Sequence, residues 1–141
     1  AIVNRSKLVM KPSQDRFAVA MEYYDKLDVF DSEGNIVATV VPPGGYEEYN
    51  ADDLWDSQGK GTGAEREYYQ DLVATDSYIY GFMANDKVRV FDWDGDPVIE
   101  LAFPFDVGRP YMVDEERGWL YANDMTNEGI VRFSLNPLIS N

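Results

Sequence analysis

At 141 residues the chain is the size of one domain, and it contains no cysteine and no histidine. Disulfides, thiolate and imidazole metal ligands, and every catalytic arrangement built on histidine are therefore excluded, leaving carboxylates, Lys and Tyr for any chemistry. The 26 acidic against 12 basic residues give a net charge of −14, which repels phosphate backbones and anionic lipid and argues against nucleic acid as a partner.

Hydrophobic residues make up 45% and aromatics 14%, with ten tyrosines, the composition of a folding and β-rich chain. No apolar run nears the ~18 residues of a membrane-spanning helix, so no membrane insertion is expected. The chain opens AIVNRS, with no methionine and no signal-peptide pattern, and reads as a processed or excised piece of something longer.

Taken in chain order, residues 7–43 hold short β-branched and aromatic runs separated by turn residues, which predicts four antiparallel strands. Residues 44–66, GGYEEYNADDLWDSQGKGTGAER, are rich in Gly and acids with no clear period and read as an inserted loop. Residues 68–104 predict strands at about Gln70–Thr75, Tyr78–Ala84, Lys87–Trp93 and Pro97–Phe103, and residues 108–135 predict three more.

These segments are repeats. DRFAVAMEYYDKLDVFD (15–31) lies over DSYIYGFMANDKVRVFD (76–92) without a gap, so that Phe30 meets Phe91 and Gly34 meets Gly95. In the last copy Trp119-Leu120-Tyr121 echoes Tyr78-Ile79-Tyr80, and Phe133 echoes Phe91. The first interval, Phe30 to Phe91, is 61 residues and the second, Phe91 to Phe133, is 42, the difference being the insertion. Four short strands in about 42 residues is one blade of a β-propeller. The expectation is all-β: a partial β-propeller of about three blades of four-stranded antiparallel sheet, the last blade incomplete. Closed propellers have about four to eight blades, so either the chain is a fragment of a longer propeller, or two copies pair as a homodimer of three plus three, or another chain completes the ring.

YYQDLVATDSYIYGFM, KVRVFDWDGDPVIELAF and the VDEERGWLYAND…GIVRFSL ending resemble the TolB-like six-bladed β-propeller family of Bacteroidetes. The resemblance covers nearly the whole chain but only the later half of a family member. It implies a six-bladed fold and a periplasmic or cell-envelope setting, and it carries over no catalytic residue.

Two motifs invite a chemical reading. Asp92, Asp94 and Asp96 of FDWDGDPV alternate like calcium ligands, but an EF-hand reading puts Pro97 where glycine is required and Phe103 where the bidentate glutamate belongs. The stretch reads instead as a hairpin turn with at most weak, opportunistic calcium binding. GKGTG (59–63) has Leu54 where a phosphate loop needs its first glycine and Gly61 where it needs Ser or Thr, and reads as flexible loop.

The aromatics Phe17, Tyr78, Tyr80, Trp119 and Tyr121, with Phe30, Phe91 and Phe133, are expected to pack between blades. Adjacent acids such as Glu115-Glu116 read as solvated loop. The best remaining site is the face carrying the insertion: Tyr46, Tyr49, Trp55 and Arg66, joined there by Tyr24, Asp25, Asn85, Asp86 and Arg109. Aromatics beside amides and acids suit a protein or carbohydrate ligand, with no cofactor or resident metal expected. Two other readings remain open: a metal-assisted hydrolase or lyase using channel carboxylates near Asp71 and Asp114, and a structural half-ring completed by self-association.

Overall fold

The computed structural model describes residues 5–42 and 67–139. Three antiparallel sheets follow one another along the chain. The first contains β1 (Ser6–Met10), β2 (Arg16–Met21), β3 (Leu27–Asp31) and β4 (Ile36–Val40), in that order. The second contains β5 (Tyr69–Ala74), β6 (Ile79–Met83), β7 (Lys87–Phe91) and β8 (Pro97–Ala102). The third has three strands, β9 (Val107–Asp114), β10 (Trp119–Asp124) and β11 (Ile130–Ser134), and is followed by a single helical turn, α1 (Asn136–Ile139). Each sheet is a meander, and β1 lies beside β5 and β5 beside β9, so the first strands line an inner edge. This is a partial β-propeller of three blades, the last without a fourth strand.

Side chains alternate across each strand, giving every blade an upstream face, toward the preceding blade, and a downstream face, toward the next. Blade 1 presents small downstream residues, Ala18, Ala20, Val29 and Ala38, to the large upstream residues Leu72, Ile79, Phe91 and Trp93 of blade 2. Blade 2 in turn presents Tyr80, Phe82, Val88 and Val90 to Tyr111, Val113, Leu120 and Phe133 of blade 3. Leu135 and Leu138 close that second core from the chain's last turn. Pairing bulk with small side chains lets sheets interdigitate without voids.

The repeat is not gapless. Val29 and Val90 are equivalent, both pointing downstream, but their cross-strand partners are Ala18 and Tyr80. The offset is therefore 61 in the third strands and 62 in the second, because the β2–β3 connection carries one residue more than β6–β7. A one-residue slip exchanges faces. Val19, which the gapless match sets over Tyr80, points upstream, and Phe17 is the equivalent of Ile79.

The expected packing of aromatics between blades holds for Tyr78, Tyr80, Phe91 and Phe133. The others lie on the outward faces of the first and third blades, against which no described blade packs. Phe17 and Phe30 stack on each other at 4.8 Å on the upstream face of blade 1. Trp119 and Tyr121 lie on the downstream face of blade 3, where the Arg132 guanidinium sits 3.9 Å from the centre of the Trp119 ring.

DWDGD is a turn. The Asp92 carboxylate accepts hydrogen bonds from the backbone N–H of Asp94 (2.9 Å) and Asp96 (3.0 Å), and Gly95 takes φ +87°. Asp31 repeats this in blade 1, accepting from Glu33 and Asn35 (2.9 Å each), with Gly34 also at φ +87°. No alanine fits at Gly95 for a second reason, since a Cβ there would come within 2.6 Å of the Ala38 side chain. The turn is thus also an inter-blade contact, and Arg16 fastens it by donating to the Trp93 carbonyl and to Asp94 (2.7 Å). Among the described residues no group of three or more acids is placed to hold a metal ion.

Candidate functional site

The β1–β2, β5–β6 and β9–β10 turns gather at one end of the blades, with the β3–β4 and β7–β8 turns, and there the polar groups are consumed in joining blades. Ser13 N–H donates to Asp76 (2.8 Å), and Glu115 accepts from the hydroxyls of Thr75 (2.6 Å) and Tyr80 (2.7 Å). Glu115 is therefore not the solvated loop acid its neighbour suggested. Tyr80 is fully buried, and burial with the Glu115 carboxylate raises its phenol far above the ordinary tyrosine range. Asp114 is committed too, to the Arg117 backbone and guanidinium (both 3.1 Å), which hold it below the usual carboxylate range.

The opposite end carries the connection from blade 2 to blade 3 and the β2–β3, β6–β7 and β10–β11 turns. Here a cleft of about 640 Å³ spans all three blades. Its walls come from equivalent places in the repeat. Arg5, Glu67, Gln70, Asp106 and Arg109 stand at the starts of the first strands, and Glu22, Ala84 and Asn123 at or just beyond the ends of the second. Backbone bonds fix these positions: Glu22 N–H donates to the Arg5 carbonyl (3.0 Å), Tyr68 N–H to the Glu22 carbonyl (2.7 Å), and Ala84 N–H to the Tyr68 carbonyl (2.9 Å).

The cleft is electrostatically mixed. Glu22 is nearly buried and ion-paired with Arg5 at 2.8 Å. No described residue pairs with the Arg109 guanidinium or with the side-chain carboxylates of Glu67 and Asp106. Tyr111 follows Arg109 on β9, and its phenol is pushed up to about 12, mainly by burial and then by the nearby charges of Asp71 and Asp86. Gly108 leaves room for Met125, whose sulfur would be 2.8 Å from a Cβ built there. Converging but unspent polar groups beside one thioether can orient a polar ligand through several hydrogen bonds.

Of the residues expected at this face, Tyr46, Tyr49, Trp55 and Arg66 lie outside the described residues. Arg109 lines the cleft, while Tyr24 and Asn85 do not. Tyr24 is half-buried in the β2–β3 turn, and Asn85 projects exposed beside Ala84. Asp25 and Asp86 are structural. Asp25 receives Arg89 of the next blade at 2.8 Å. The Asp86 carboxylate accepts from Val107 N–H (3.2 Å) and its carbonyl from Phe103 N–H (2.8 Å), which anchors the entry to blade 3. Sequence reasoning missed Arg5, Glu22, Glu67, Gln70, Asp106 and Asn123. The signal available was their shared place at strand termini, rather than any motif. Asp71 and Asp114 do not meet, since one is near the start of β5 and the other at the far end of β9.

A second crevice, of about 370 Å³, runs between blade 1 and the outer strands of blade 2 and is mostly aliphatic, with Val40, Pro42, Val98 and Ile99. Its charged groups are spent, Asp25 on Arg89 and Glu100 on Lys87 (3.6 Å), so it offers little to orient a polar ligand.

Fold and cleft together define a propeller segment with a polar mouth at the starts of its inner strands. The chain matches no protein-family model and no curated protein sequence. It is similar to solved structures of the β-propeller Hsv2. The Kluyveromyces lactis protein matches at a TM-score of 0.50 and 11% identity over 96% of this chain. The same protein with its loop 6CD replaced by a Gly-Ser linker matches at 0.51, also with 11% identity over 96%. The Kluyveromyces marxianus protein matches at 0.50 and 10% identity, again over 96% of the chain. This chain spans only 35–37% of the length of those proteins, and at such identity the likeness concerns fold alone.

Proposed function

We propose that the chain is a non-catalytic binding segment of a β-propeller that recognises a polar protein or carbohydrate ligand at the cleft shared by its three blades. The observation that carries this is the convergence of Arg109, Glu67, Asp106, Gln70 and Asn123 on one cavity, the charged three with no described partner. A guanidinium, two carboxylates and two amides can meet both the donors and the acceptors of a glycan or a peptide backbone. Membership of the TolB-like family, with its periplasmic or envelope setting, belongs to the same reading and rests on the sequence resemblance.

The test is amide NMR of the ¹⁵N-labelled chain against a panel of neutral oligosaccharides and short peptides. Binders should shift Gln70, Arg109 and Asn123, and Arg109→Ala should weaken them at least tenfold. Shifts clustered on β4 and β8, or insensitivity to Arg109→Ala, would sink the assignment.

A further inference from the structure

The charges lining the three-blade cleft do not balance. Arg5 and Glu22 cancel each other, which leaves the Glu67 and Asp106 carboxylates against the single guanidinium of Arg109. The same sign is felt at Tyr111, two residues along β9 from Arg109. There the charges of Asp71, Asp86 and Asp106 oppose ionisation of the phenol, and that of Arg109 favours it. The net charge of −14 adds to this field rather than offsetting it.

An independent feature of the wall calls for a hydrogen-bond donor. Glu22 is only 7% exposed, and its Oε2 is buried without a hydrogen bond. Arg5 Nε stands 2.8 Å away but supplies charge alone, its N–H not directed at that oxygen, and the Arg5 side chain is itself half-exposed. A buried carboxylate oxygen without a donor is costly, and an ammonium brings three N–H groups in one compact cation. Beside it, Met125 sits in the room that Gly108 leaves and offers an apolar flank for the stem of a long basic side chain.

We propose that the cleft takes a peptide by a lysine side chain, its ammonium drawn in by Glu67 and Asp106 and donating to Glu22, its stem along Met125, and Arg109 donating to an adjoining peptide carbonyl. The inference rests on the cleft being the ligand site and narrows the ligand from polar in general to cationic. A neutral glycan could meet the amides of Gln70 and Asn123, but it would leave both carboxylates uncompensated. An ammonium suits the site better than a guanidinium, because its acceptors come from three separate strand ends instead of presenting one planar pair.

The experiment is amide NMR of the ¹⁵N-labelled chain titrated to millimolar concentration with three probes: a capped glycine pentapeptide with one central lysine, the same peptide acetylated on the lysine Nζ, and cellotriose. Two double variants accompany it. One, Glu67→Gln with Asp106→Asn, neutralises the cleft, and the other, Glu33→Gln with Glu116→Gln, removes as much charge from exposed positions at the other end of the blades. The lysine peptide should shift Gln70, Arg109 and Asn123. Acetylation and the cleft double variant should each weaken it by about tenfold or more, and the distant double variant by less than about twofold. Equal binding of the acetylated peptide would overturn the proposal, as would an equal loss in the distant variant, which would make the attraction a diffuse property of an acidic chain. Cleft shifts with cellotriose but not with the lysine peptide would overturn it and leave the broader reading standing, whereas no cleft shift with any probe would overturn both.

Discussion

Replacing Gly81 by alanine sets two opposed effects against each other, and the structure decides between them. Gly81 lies in the middle of β6 with ordinary strand geometry, so a Cβ would restrict the unfolded chain and by itself stabilise by about 0.4–1 kcal/mol. That Cβ would stand 2.7 Å from Cε1 and 3.0 Å from Cδ1 of Tyr69, and 3.6 Å from the Arg89 carbonyl. Comfortable carbon contacts lie near 3.5–4.0 Å, so the ring must retreat by roughly 1 Å. It has nowhere to go, being fully buried in the core between blades 1 and 2. Overpacking of this kind costs about 1–3 kcal/mol, leaving a net loss of about 1–2 kcal/mol. For a chain of this size that lowers Tm by about 2–6 °C. Val19 and Ala122 bear a Cβ on the equivalent or facing positions of the other second strands, so the prohibition is local to Tyr69. Urea unfolding of Gly81→Ala, Tyr69→Leu and the double variant measures the coupling. The double variant should lose less than the two single losses added together. An unchanged or raised midpoint for Gly81→Ala would refute the reasoning.

Glu115→Ala should cost about 2–3 kcal/mol by leaving the buried Tyr80 hydroxyl and the Thr75 hydroxyl without their shared acceptor, whereas Glu116→Ala should be neutral in the same unfolding assay. Calcium up to millimolar concentration should leave Tm unchanged, because Asp92 is spent on backbone N–H groups and Asp94 on Arg16, and a clear rise would reinstate the metal reading. Asp31, Asp114 and Asp124 titrate below the usual carboxylate range, chiefly through the backbone N–H groups of Asn35, Arg117 and Asn127. Their contribution is present above the unfolded value of about 3.9 and is lost as pH falls through the lower folded values, so the urea midpoint should drop below pH 4 and drop less in the triple Asn variant. Burial pushes Tyr69 and Tyr111 up to about 12, so their share of stability is complete below about pH 10 and disappears as pH rises through 12, which alkaline unfolding followed by tyrosinate absorbance would record.

The three-blade organisation was legible because turn chemistry and strand alternation are local properties. DSEGN and DWDGD differ in most letters, yet each supplies an aspartate to cap the backbone and a glycine for the left-handed position, and those two residues exposed the repeat. Face assignment was less secure, since one extra residue between β2 and β3 leaves the letters well matched while turning Phe17 and Val19 to the other side. The cleft was legible only at Arg109. Its walls come from six separated strand ends, and nothing in the letters distinguishes Glu67 or Asp106, which have no described partner, from Asp25 or Asp86, consumed in holding blades together. Glu115 and Glu116 are the same letter twice, and only the approach of blade 2 gives the first of them its partners.

Every strand pair in the described chain joins neighbours in sequence, and this has a kinetic consequence. Closing a hairpin of three to five residues costs little chain entropy, so each blade can nucleate alone and the array can grow outward from any of them. Blade 2 is the exception in durability. Its β6 is buried along its whole length and flanked by strands on both sides, with a packed blade against each face. Its amides should be the last to exchange with deuterated solvent, while those of β11, bordered on one side only, exchange first. The described molecule should thus be graded in exchange, slowest along its central strand and fastest at its edge strands.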